Sequence, residues 1–179
     1  MDISDFVKKA KEYNVLGIKI SKDNELAAEW YSEPECRRNI YSATKSFTSC
    51  AVGFAVQEGL IDLNEKLTEA FSGDLPKCID ENLKEATVHD LLTMCLGQEK
   101  GSLMGEQRPL YEEDNWVKMS LAIPFKYKPG THFVYNNVGP YLAGILVQRR
   151  SGCDLVSYLT PRLFSKLGIK RPTWETDPL

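Results

Sequence analysis

One stretch limits what this chain can become more than any other. From Lys45 onward, apolar or small residues fall at Phe47, Cys50, Ala51, Phe54 and Ala55, and Gly59 follows. That is helical spacing with a terminator. Just ahead of the helix body, Ser42-Ala43-Thr44-Lys45 places a hydroxyl and an amine three residues apart. Positions i and i+3 share one helix face, so both groups can reach the same space. A serine is a poor nucleophile until a base takes its proton. A lysine can act as that base if burial or neighbouring positive charge lowers its pKa. The helix start adds unpaired N–H groups and a positive dipole end that suit an oxyanion. Small residues crowd the helix (Ala43, Ser46, Ser49, Cys50, Ala51, Gly53, Ala55), which predicts close packing on several sides. By itself the spacing also fits a helix cap followed by a solvated lysine.

Composition excludes several other classes. The chain has 179 residues, 26% charged, with net charge −3 and both signs interspersed. No basic face for nucleic acid or anionic lipid is expected. No apolar run approaches a membrane span. The amphipathic N-terminus lacks the apolar core of a secretory signal. The five cysteines (Cys36, Cys50, Cys78, Cys95, Cys153) are scattered and never in Cys-x-x-Cys spacing. They read as reduced packing residues of a cytoplasmic protein. His89 and His132 are the only histidines, so a histidine-rich zinc site is not expected. His89 reads as a surface or capping residue.

Along the chain, residues 2–13 predict a helix with Phe6, Val7 and Ala10 on one face. Residues 15–20 and 26–31 predict a β-hairpin about the polar turn 21–24. Residues 32–40 form a crossing loop to Ser42. After the Ser42 helix, residues 60–67 predict a turn into a short amphipathic piece. Residues 87–94 predict a helix capped by Thr87. Residues 97–115 carry three glycines, Pro109 and many charges, and predict a long surface loop of the kind that forms lids. Short helices follow at 116–124 and 154–163, with a longer amphipathic one at 138–151 closed by Gly152. Between them, Pro129-Gly130 marks a turn into a brief extended run. Residues 168–179 predict a loop.

These features in this order resemble the serine β-lactamase and penicillin-binding-protein superfamily, in the class C-like branch of D-alanyl-D-alanine carboxypeptidases and β-lactamase-fold esterases. The Ser-x-x-Lys signature itself is a known mark of related enzymes. Here it is Ser42-Ala43-Thr44-Lys45. Tyr-x-Asn is Tyr135-Asn136-Asn137, reached through Pro129-Gly130-Thr131. Val88-His89-Asp90-Leu91-Leu92-Thr93, Gly139-Pro140-Tyr141-Leu142-Ala143-Gly144 and the stretch from Leu163 to Ile169 also match in type and order. The resemblance covers nearly the whole chain from about Val15.

The resemblance implies a mixed α/β (α+β) fold in a single domain over residues 1–179. It implies Ser42 as the acylated nucleophile and Lys45 as its base or as the support of another. Tyr135 would be a phenol whose pKa is depressed between two ammonium groups, and Asn137 would bind substrate and hold Lys45. It implies a small acyl amide or ester as substrate, with no metal or organic cofactor. The family's third motif, Lys-Thr-Gly or His-x-Gly, does not follow Asn137. The expectation is therefore a chain lacking the C-terminal sheet strands, with weak or no turnover unaided. Its open hairpin edge would be completed by a complementary C-terminal half or by self-association. The alternative is a non-catalytic binding module of the same fold.

Overall fold

The computed structural model describes residues 1–34 and 36–179. Its contacts divide the chain into two units, Met1–Tyr41 and Ser42–Leu179.

In the first unit, helix α1 spans Ser4–Glu12. The Asp2 carboxylate opens it by accepting from the Ser4 N–H at 2.9 Å and the Ser4 hydroxyl at 2.7 Å. Asp5 in its first turn and Lys9 and Lys11 in its last suit the helix dipole. Ala10 is buried and Ile3 and Val7 are half-buried, whereas Phe6 is 66% exposed. Positions 3, 7 and 10 fall within about 60° of one another at 100° per residue, and Phe6 lies at the edge of that face, about 65° from its centre. Strands β1 (Gly17–Lys22) and β2 (Glu25–Tyr31) pair antiparallel. Asp23 and Asn24 join them with φ of 52° and 64°. Two positive φ values make the turn whose twist matches a hairpin, and aspartate and asparagine tolerate them best. The turn is thus shorter than residues 21–24. Ile20 faces Ala28 and Ser21 faces Leu26, so Ala27 is the extra residue of a bulge. This is the only sheet among the described residues. The described part of 32–40 is irregular, and residue 35 lies outside the described residues.

The second unit is built around two 14-residue helices, α2 (Thr44–Gln57) and α7 (Val138–Ser151). α3 (Leu67–Ala70), α4 (Glu81–Glu85), α5 (Val88–Thr93), α6 (Trp116–Ala122) and α8 (Leu155–Leu159) surround them. Contrary to the amphipathic reading, α7 buries most of its circumference: Val138, Gly139, Leu142, Ala143, Gly144, Leu146 and Val147 are all inside. Its small residues let neighbours come close. A Cβ on Gly139 would stand 2.3 Å from the Leu91 carbonyl oxygen of α5. Gly152, in the left-handed region, closes α7 by donating its N–H to the Gln148 carbonyl.

α2 departs from expectation in the other direction. Thr48, Ala51, Val52 and Ala55 are buried, but Ala43, Ser46, Ser49, Cys50 and Gly53 are exposed. It packs through one face only. Nor do the cysteines all pack: Cys36, Cys50 and Cys78 are exposed and Cys95 and Cys153 half-buried, all five free thiols.

Side-chain caps define the short helices. Asp80 accepts from the Leu83 N–H at 2.7 Å and starts α4, a helix the apolar periodicity does not announce because Leu83 is its only buried residue. Asn115 and Asp154 likewise cap α6 and α8. Ahead of α5, the Asp90 carboxylate accepts from the Thr87 N–H at 2.9 Å and the Thr87 hydroxyl at 2.8 Å, a capping box with aspartate in place of glutamate. Replacing Asp90 with alanine removes both bonds from a buried side chain. A loss of about 1–2 kcal/mol is expected, read as a lower denaturant midpoint with an unchanged slope. At the other end of α2, Glu58 accepts from Arg162 at 2.6 Å and from the Tyr158 hydroxyl at 2.9 Å, tying α2 to α8.

The expected lid at 97–115 is a strap held down at several points. Leu103 and Gln98 are buried, Gln98 bridges to Phe125, and Arg108–Leu110 forms one 3-10 turn. The run after Pro129-Gly130, expected to be extended, takes no regular secondary structure and joins no sheet.

Candidate active site

Four side chains singled out by sequence converge. A 3-10 turn, Tyr41–Ala43, leads into α2 and carries the exposed Ser42 hydroxyl. Lys45 follows one turn later and is half-buried. Its ammonium donates to Ser42 Oγ at 3.1 Å and to Asn137 Oδ1 at 2.7 Å. Tyr135 Oη stands 2.5 Å from Ser42 Oγ. Lys45 Nζ also lies 5.0 Å from the centre of the Tyr135 ring.

The second half of the site arrives on a backbone pinned to the end of α5. Met94 terminates that helix with φ 59°, a left-handed conformation. Its carbonyl accepts from the Val134 N–H at 2.9 Å, and the Cys95 carbonyl accepts from the Gly130 N–H at 2.8 Å. These two bonds set the run from 130 to 135 beside the chain leaving α5, and Tyr135 emerges from it 43% exposed.

The tandem asparagines divide their tasks. Asn136 is buried, and its Oδ1 accepts from the Gly139 N–H at 3.1 Å at the start of α7. Asn137 makes no side-chain cap bond. Asn137 Nδ2 donates instead to the Leu103 carbonyl at 2.9 Å while its Oδ1 faces Lys45. One of its two amide hydrogens is thereby used, leaving the other for a ligand.

The hydrogen bond from Ser42 lowers the Tyr135 pKa most, the bond and charge of Lys45 lower it further, and desolvation opposes both. One ammonium serves here, where two were expected among family members. His89 is exposed, as its sequence context suggests. No His, Cys, Asp or Glu group suited to a metal ion occurs among the described residues. No described helix is long and apolar enough to cross a membrane.

What sequence reading missed is the strap at 101–111. Its contribution is a backbone carbonyl, Leu103 O, presented by a non-glycine residue at φ 57°. No side-chain type advertises such a group.

A hydroxyl in contact with both a phenol and an ammonium, at a helix start, is an arrangement suited to acyl transfer. Among curated relatives, the lovastatin esterase of Penicillium rubens is 29% identical over 150 residues, covering 72% of this chain and 37% of that protein. The N-acetylmuramyl-L-alanine amidase of Bacillus subtilis is 26% identical, covering 74% and 32%. Among solved structures, the octameric penicillin-binding protein homologue from Pyrococcus abyssi superposes with a TM-score of 0.71 at 28% identity. That match covers 96% of this chain and 44% of the archaeal one. The chain therefore spans less than half the length of each of these proteins. The match to the Beta-lactamase family model runs over residues 10–179 and so takes in both halves of the site; the chain belongs to the β-lactamase family.

Proposed function

We propose that this chain carries the nucleophilic half of a serine hydrolase that acts on a small amide or ester through an acyl-serine intermediate. The observation that carries the reading is the single hydroxyl held between two partners, Tyr135 Oη at 2.5 Å and Lys45 Nζ at 3.1 Å. Tyr135, as phenolate, takes the proton from Ser42 Oγ as that oxygen bonds to the acyl carbon. The tetrahedral oxyanion forms near the start of α2, where N–H groups are unpaired. Tyr135 then returns the proton to the leaving amine or alcohol as the acyl–leaving-group bond breaks. In the second half-reaction water gives its proton to Tyr135 as it attacks the acyl carbon; the acyl–Oγ bond then breaks, and Tyr135 returns the proton to Ser42 Oγ, leaving the free acid and the starting phenolate. Lys45 holds Ser42 Oγ and Asn137 Oδ1, and its charge favours the phenolate. The free hydrogen of Asn137 Nδ2 meets the substrate's own carbonyl or amide. The lovastatin esterase and the amidase among its relatives fit an ester or amide substrate.

Acylation is the step this constellation supports directly, and turnover by the 179 residues alone is expected to be slow. The test is labelling with a fluorophosphonate and, separately, with a fluorescent penicillin, followed by intact mass and peptide mapping. One adduct per chain, on the peptide containing Ser42 and absent from Ser42→Ala, is the expected result. A folded chain that takes neither probe at Ser42 would overturn the reading.

A further inference from the structure

The strap at 101–111 hydrogen-bonds to the site at Asn137 and lies against the Tyr135 backbone, yet it is built with more care than a surface loop requires. Asn137 is held twice by it: the Asn137 N–H donates to the Ser102 carbonyl at 3.0 Å, and Nδ2 donates to the Leu103 carbonyl at 2.9 Å. Leu103 takes up φ 57°, costly for a side chain branched at Cγ, and buries that side chain to 3% exposure. A conformation of this kind persists only where its surroundings over-determine it.

Two side chains do so. The Leu103 N–H donates to Tyr111 Oη at 3.2 Å, and Tyr111 Oη donates to Gln107 Oε1 at 3.1 Å. The same Gln107 Oε1 accepts from the Met104 N–H at 3.1 Å, while Gln107 Nε2 reaches the Gly101 carbonyl at 3.4 Å. Gln107 thus closes the strap on itself across Leu103. The Tyr111 ring is anchored edge-on to Trp116 of α6, their centres 5.9 Å apart. The strap is seated directly on the motif, since a Cβ on Gly101 would stand 2.6 Å from the Tyr135 carbonyl oxygen.

The consequence is chemical. A primary amide can present either its oxygen or its nitrogen to a neighbour. Lys45 Nζ has only hydrogens to offer, and the Leu103 carbonyl can only accept. Together they force Asn137 to turn Oδ1 towards Lys45. Without a carbonyl at the Leu103 position only Lys45 would bias the amide, and a flipped Asn137 would set its NH2 against an ammonium. Lys45 would then lose its second tether and drift from Ser42 and Tyr135.

We infer that Gln107 and Tyr111 are positioning residues for the nucleophile, acting through the Leu103 carbonyl on the orientation of Asn137 and hence on Lys45. The inference rests on the acyl-serine reading above, because it assigns the strap a role in that same site. Neither residue touches Ser42, Lys45 or Tyr135 in the contacts described.

The experiment compares Gln107→Ala, Tyr111→Phe and Gln107→Glu with the unaltered chain. Glutamate keeps an acceptor for Met104 and Tyr111, and phenylalanine keeps the ring on Trp116. Three quantities are measured on each: the melting temperature, the pH profile of Ser42 labelling by the fluorophosphonate, and the Asn137 side-chain NH2 signals in a ¹⁵N-correlated NMR spectrum, assigned by loss in Asn137→Ala. Gln107→Ala and Tyr111→Phe are expected to slow labelling about 10- to 100-fold. They are also expected to move its rising limb to higher pH and shift or broaden the Asn137 NH2 signals. Gln107→Glu should restore most of the rate. If the Asn137 signals and the profile stay as in the unaltered chain in both loss variants, the inference is wrong. If the unaltered chain is not labelled at Ser42, the acyl-serine reading fails, and the NMR signals still decide whether the strap orients Asn137.

Discussion

Replacing Lys45 with methionine is expected to slow acylation of Ser42 by a fluorophosphonate about 10²–10⁴-fold, the range general-base assistance usually spans. Methionine keeps the bulk and the unbranched stem but removes three donors and a charge. Two bonds vanish with it, to Ser42 Oγ and to Asn137 Oδ1. The pH dependence should move as well. The Tyr135 pKa is lowered by its hydrogen bond with Ser42 and by the bond and charge of Lys45. The base form is the phenolate, so labelling rises as pH increases through that lowered value. Without the ammonium the value returns upward, and the rising limb moves to higher pH. Tyr135→Phe should lose the limb altogether. A Lys45→Met chain that labels at the original rate with the original profile would show that the lysine is a spectator.

The largest expected change in stability comes from a single methyl group on Gly139. In Gly139→Ala the new Cβ would lie 2.3 Å from the Leu91 carbonyl oxygen, 3.1 Å from its carbon and 3.3 Å from its Cα. All three are backbone atoms inside the fold, so no rotamer change can relieve them. α5 and α7 must move apart at a contact buried on both sides. Overpacking of this kind costs roughly 1–3 kcal/mol, and backbone against backbone belongs at the top of that range or above it. Alanine's better helix propensity returns only about 1 kcal/mol. A net fall in Tm of roughly 4–8 °C follows for a chain of this size. Gly139 N–H is also the donor to Asn136 Oδ1, so Ser42 labelling should weaken in the same variant. Gly53→Ala provides the opposite sign. Gly53 lies within α2 with nothing within 4 Å of its would-be Cβ, so the propensity gain stands alone and Tm should rise. Equal effects at the two glycines would mean that the α5–α7 contact is looser than described.

Local chemistry was legible wherever one residue type does one thing. The polar stretch 21–24 announces a hairpin turn, Thr87 a helix start and Gly152 a helix stop, because each satisfies backbone demands within four residues. Ser42, Lys45, Tyr135 and Asn137 were legible as a set through family order, although 90 residues of other structure separate the pairs. Burial was less so. Periodicity put Phe6 inside and made α7 one-faced, because apolar spacing records which faces could be buried and not how many neighbours arrive. The small residues around α2 suggested packing all round for the same reason, yet five of the seven (Ala43, Ser46, Ser49, Cys50 and Gly53) are exposed.

By itself, then, the sequence determined the two long helices and the hairpin through short-range spacing, and the mixed α/β class and the set Ser42, Lys45, Tyr135 and Asn137 through motif order shared with the family. Only the tertiary structure decided that Asn136 caps α7 while Asn137 serves Lys45, that Tyr135 touches the serine hydroxyl, and that the 101–111 strap faces the site with the Leu103 carbonyl. The contacts of Tyr135 with Ser42, of Asn137 with Lys45 and of Asn137 with the Leu103 carbonyl join groups 93, 92 and 34 residues apart in sequence. A carbonyl oxygen is the same in every residue, so its place in a site is fixed by the path of the chain and not by a letter in the sequence.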